Sequence, residues 1–129
     1  MEYFFLGLIV IILISWVFLT FWFSHKKQLK TDKKSYYQKE IQKASTLSSP
    51  TEQIMRYDMI MHHILKDFGY SGTVGDQLKA KPRVISNLDT VWSLHKLRNK
   101  LAHSMETVSH ELLERKADEF KKVVINLLK

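Results

Sequence analysis

His95, Arg98, Asn99 and His103 are the residues of this chain whose types and spacing could do chemistry. Positions 95, 99 and 103 recur every four residues, so on a helix they form one polar ridge with Arg98 beside it. An imidazole titrates near neutrality and can carry a proton, a guanidinium can hold a phosphate through paired hydrogen bonds, and an amide can orient either group. Such a ridge is suited to a phosphate ester, with His95, Lys96 and Lys100 as further binding groups and small Ala102 letting another surface approach. A second account starts from the cost of burying a guanidinium, which is high unless the group is paired. Asp58, on the buried side of an earlier helix, is then its structural partner, and Asn99 and His103 tie down the turn that follows.

The rest of the sequence offers less. There is no cysteine, and the adjacent His62 and His63 point to different sides of a helix. Without an HExxH pattern no metal site is expected, and nothing calls for a cofactor. Gly69, Gly72 and Gly75 lack the spacing of a phosphate-binding loop and read as a turn between helices. Met55, Met59, Met61 and Trp92 read as packing residues.

The elements that position the ridge can be read from caps and periodicity. Ser49, Pro50, Thr51 and Glu52 open a helix that runs to about Asp67 with Ile54, Tyr57, Met61, Ile64, Leu65 and Phe68 on its inner face. Gly69 ends it, Thr73 with Asp76 caps a short helix, and Pro82 breaks the run. Asn87 or Asp89 caps the ridge helix, which reaches about Ser104 and carries Leu88, Val91, Leu94, His95, Leu97, Arg98, Leu101 and Ala102 on one broad face. A last helix from about Ser109 to Leu128 presents Leu113, Ala117, Phe120, Val124 and Leu127. No strand pattern or repeat occurs. The expected fold is all-α: residues 48–129 form a small antiparallel helical bundle.

The stretch from Trp92 to His103, WSLHKLRNKLAH, resembles the signature of HEPN domains, small helical bundles in which an Arg, usually followed by a polar residue, precedes a His by four to six positions. Arg98, Asn99 and His103 match that pattern. Residues 50–129 also resemble the helical domain of a widespread group of small bacterial membrane proteins. The matching elements are Gly69, Tyr70, Gly72, Thr73, Gly75, Asp76 and Leu78, followed by His95, Lys96, Arg98, Asn99, Ala102 and His103. Active HEPN domains are metal-independent ribonucleases that pair as dimers; others are not catalytic. The resemblance implies either a membrane-tethered endoribonuclease, with His103 moving the proton, Arg98 holding the scissile phosphate and Asn99 orienting them, or a non-catalytic binding and scaffold module that self-associates. The second is preferred, because a lone and mildly basic domain has no evident control over a toxic nuclease.

Residues 3–23, YFFLGLIVIILISWVFLTFWF, contain no charge. A helix of that length reaches about 31 Å, enough for a hydrocarbon core of about 30 Å, and aromatic residues crowd both ends. No small-x-small cleavage pattern follows it. The expectation is a single-pass transmembrane anchor over 1–24 and a basic juxtamembrane helical stalk over 25–47. Seven lysines follow the span, Lys26, Lys27, Lys30, Lys33, Lys34, Lys39 and Lys43, whereas Glu2 alone precedes it. By the positive-inside rule the protein sits in the inner membrane with its amino terminus outside and its carboxyl-terminal domain cytoplasmic. Of the net charge of +7, residues 24–47 carry +5 and residues 48–129 carry +3, offset by Glu2. The excess beside the span favours anionic lipid headgroups as partners of the stalk over RNA.

Overall fold

A computed structural model describes residues 1–24 and 28–129 and, within them, all side chains except those of 2, 3 and 21–23. Six helices occur among the described residues, with no strand: α1 (Glu2–Ser24), α2 (Thr31–Ser45), α3 (Pro50–Asp67), α4 (Val74–Lys79), α5 (Leu88–His103) and α6 (His110–Leu127). The chain is all-helical.

The transmembrane expectation is corrected. Among the described residues, no helix is long and apolar enough to cross a membrane. The apolar stretch with described side chains is 4–20, seventeen residues. The expected length depended on the aromatic ends; the side chains of Tyr3, Phe21, Trp22 and Phe23, like Lys26 and Lys27 of the basic run, lie outside the described residues. The single-pass anchor, the inner-membrane placement and the orientation derived from them do not stand. What α1 does show is an apolar helix whose described side chains are exposed and which touches no other helix.

The five remaining helices share one core, which runs from Leu29 to Leu128. α3 is its centre, packed against α2, α4, α5 and α6. Ile54, Tyr57, Ile60, Met61, Ile64 and Leu65 of α3 meet Leu113, Ala117, Phe120, Val124 and Leu127 of α6, with the Tyr57 and Phe120 rings 6.3 Å apart. Each Val, Leu, Ile, Phe or Met among them, once fully buried, contributes about 1.5–3 kcal/mol of transfer free energy. Residues 28–129 therefore hold every buried apolar group of the described chain.

α2, which the sequence reads as a stalk, lies inside this bundle. Its apolar positions are few, but Tyr37, Ile41 and Ala44 are spaced by four and three, and all three are buried with Leu29 against α3 and α6. A narrow stripe suffices when the face it meets is already apolar. The contact is fixed at its edge by Asp67 of α3, which accepts hydrogen bonds from Tyr37 Oη at 2.7 Å and from Lys33 Nζ. Burial alone would raise the Asp67 carboxyl, but these two donors outweigh it and hold the group below its ordinary value of 3.8. Tyr37 is pushed up, first by burial and then by Asp67.

The caps follow the sequence. Ser49 Oγ accepts from the Glu52 amide at 3.3 Å with Pro50 opening α3, and Asn87 Oδ1 accepts from the Thr90 amide at 3.1 Å to open α5. Thr73 and Asp76 form a full capping box at α4, with the Thr73 amide donating to Asp76 Oδ2 at 3.0 Å. The loop into it turns at Gly72, whose φ of +85° is one that L side chains rarely adopt.

Candidate functional site

The ridge helix α5 buries only Val91 and Leu94 among its 16 residues. Leu88, Trp92, Leu97 and Leu101 are left half-covered. α3 presents Asp58 to it, a carboxylate whose residue is only 4 % exposed. A single turn of α5 places His95 and Arg98, three residues apart, over the same carboxylate.

The result is a closed ring of four side chains. His95 Nδ1 lies 2.8 Å from Asp58 Oδ1, and Arg98 Nε lies 3.4 Å from Asp58 Oδ2. Arg98 Nη1 donates to Asn99 Oδ1 at 3.1 Å, and Asn99 Nδ2 lies 3.2 Å from His95 Nε2. The proton positions follow from what each group can do. An ionised carboxylate only accepts, so His95 carries its hydrogen on Nδ1 and donates it to Asp58. Nε2 is then free to accept from the Asn99 amide, whose oxygen is turned towards Arg98. Every link is thus a donor meeting an acceptor, except that Arg98 Nε is buried and makes no hydrogen bond, held to Asp58 by charge alone. The Trp92 ring stands edge-on to the His95 imidazole, 6.3 Å between centroids.

The six ridge residues named from sequence do not act as one group. The structure brings Asp58, His95, Arg98 and Asn99 together and leaves His103 out. Arg98 and His103 are five positions apart, which on a helix turns their directions about 140° from each other. His103 is exposed at the last turn of α5. Lys96 is exposed and Lys100 reaches forward to pair with Glu106. Arg98 is a third exposed at its side chain, so its guanidinium shows an edge to solvent while its Nε faces inward.

His95 is the residue whose place the sequence pattern understated. The sequence places it both on the broad apolar face of the helix and on the polar ridge, without Asp58 as its partner; its side chain is 12 % exposed and makes the shortest contact to Asp58. The i, i+3 spacing makes His95 and Arg98 neighbours, but that both meet Asp58 depends on how α5 is rotated against α3. Elsewhere, Gln77 of α4 is fully buried and bonds His62 Nδ1 at 3.1 Å and the Tyr70 carbonyl at 3.0 Å. That contact accounts for His62 as a tie between α3 and α4. Among the described residues no group of His, Cys, Asp or Glu is arranged to hold a metal ion.

Against known proteins, the chain matches no family model, no curated protein and no solved structure.

Proposed function

We propose that the helical bundle is a non-catalytic binding module that self-associates along α5, with the second copy lying antiparallel to the first. The observation that carries this is the poor cover of α5: a 16-residue helix with two buried positions, flanked by half-covered Leu88, Trp92, Leu97 and Leu101. The outer face of that helix is also charge-asymmetric, with Asp89 in the first turn and Lys96, Lys100 and His103 towards the end. An antiparallel pair about a two-fold axis near Leu94 and His95 sets Asp89 against Lys100 of the second copy, twice, and opposes the two helix dipoles. A HEPN-like bundle that associates in this way is consistent with the resemblance carried by Arg98, Asn99 and His103.

The endoribonuclease alternative asks more of the same residues. Arg98 would have to hold a phosphate with only the edge left open beside Asp58 and Asn99, and His103 would have to approach it from another direction. The polar ring is better suited to fixing the α3–α5 contact beneath a docking face.

Sedimentation equilibrium on the full chain and on residues 28–129 tests the reading. Asp89→Lys and Lys100→Asp each place two like-charge pairs across the axis and are expected to weaken the dimer about tenfold, while the double reversal restores it. A monomer at all concentrations, or reversals without effect, overturns it.

A further inference from the structure

At the end of the bundle where α2 begins and α6 finishes, the chain forms a half-open cavity of about 480 Å³ that no residue of the α5 ridge touches. Its size falls within the range of small-molecule sites, roughly 300–1,000 Å³. The floor is apolar: Leu29, Phe68, Leu127 and Leu128, all buried members of the core, with half-covered Val84 from the loop before α5. A smaller space of about 30 Å³ shares Val84, Ser86, Asn126 and Leu127 with it and continues the apolar lining inward to Val91 and Val123.

The rim has a different chemistry. Gln28, Ser86 and Asn126 supply uncharged hydrogen-bonding groups, and Lys34 supplies a cation. Lys34 is distinct among the lysines of α2: Lys33, Lys39 and Lys43 are exposed, whereas Lys34 is half-buried along the cavity wall. Lys33 pairs with Asp67 and Lys43 with Glu40, but among the described residues no carboxylate lies within ion-pair distance of Lys34. A lysine whose stem is partly covered at the edge of an apolar floor, without an acid of its own, is complementary to a ligand with a negative head and a hydrocarbon body.

We propose that this cavity binds a single-chain anionic amphiphile, its hydrocarbon lying on Leu29, Phe68, Val84 and Leu127 and its head held by Lys34. The inference is independent of self-association through α5, because the two sites share no residue.

Calorimetry on residues 28–129 with hexanoate, octanoate and decanoate below their micelle concentrations tests it. Affinity is expected to climb by up to about fourfold per added methylene, as burial of hydrocarbon requires. Octanol should bind more weakly than octanoate, and inorganic phosphate alone should give no measurable heat. Lys34→Gln should lower octanoate affinity about fivefold to tenfold and leave octanol unchanged. Val84→Trp, and Ser86→Trp at the exposed rim as a second filling variant, should abolish binding of both while the helical circular dichroism is retained. Affinity independent of chain length, an unchanged Lys34→Gln variant, phosphate binding as tightly as octanoate, or binding that survives both filling variants overturns the proposal.

Discussion

Replacing Asp58 by Asn probes the polar ring at its one buried carboxylate. The substitution keeps the volume and keeps an oxygen for the His95 Nδ1 hydrogen at 2.8 Å, but it presents an amide to Arg98 Nε, a buried donor with no hydrogen-bond partner. Breaking a fully buried ion pair from one side costs about 3–5 kcal/mol. Here the Arg98 side chain is 33 % exposed, so its outer nitrogens keep water and Asn99, and the His95 contact survives. Those two reliefs bring the expected loss to about 2–3 kcal/mol. Arg98→Met removes the cation that needs the carboxylate. Combined with Asp58→Asn it should recover at least about 1 kcal/mol relative to the sum of the single changes, since the residues touch. Urea unfolding of residues 28–129 followed by circular dichroism reads this directly. With a slope of about 1–3 kcal/mol/M, Asp58→Asn should move the midpoint down by about 0.7–3 M. A shift equivalent to less than about 0.5 kcal/mol, or strict additivity in the double variant, would refute the claim that charge holds α5 to α3.

Three other outcomes are expected. Gly72→Ala should destabilise the bundle by about 1–2 kcal/mol in the same unfolding assay, because its φ is +85° and a Cβ there would lie 2.8 Å from Asp76 Oδ2, the acceptor of the α4 cap. Asp67, whose carboxyl is lowered in the folded chain, contributes stability that is complete above its ordinary value of 3.8 and is lost as pH falls through the lower folded value. Asp67→Asn should therefore lie below wild type at neutral pH and converge on it in acid, as followed by thermal melts across that window; a constant gap would sink this assignment. Labelled RNA incubated with the full chain in the absence of metal should remain intact, and His103→Ala should leave both stability and dimerisation unchanged. Cleavage yielding cyclic phosphate ends and lost in Arg98→Ala and His103→Ala would instead establish the nuclease.

Much of the bundle is written in local signals. Ser49 with Pro50, Thr73 with Asp76 and Asn87 each satisfy backbone amides within three or four residues, so the starts of α3, α4 and α5 are legible without knowledge of the fold. The place of α2 is not local. Tyr37, Ile41 and Ala44 make too thin a stripe to predict burial, and only the apolar width of α3 and α6 decides that they are covered. The same distinction separates Asp58 from His95. A buried acid opposite Arg98 follows from charge balance, but the nearer imidazole depends on the rotation of α5 against α3, which no spacing within one helix encodes. The apolar run at the start of the chain misled in another way: its composition is unambiguous, whereas its crossing length rested on end residues whose side chains lie outside those described.

The burial of Leu29 sets a short leash on α1. From Ser24, the last residue of that helix, to Leu29, already seated in the core, there are five peptide steps, which even fully stretched cover no more than about 18 Å. The carboxyl end of the apolar helix is thereby kept near one pole of the bundle, the pole where Gln28 and Leu29 border the cavity. Its other end, about 35 Å further along the helix, is free to meet a surface or molecule well beyond that pole.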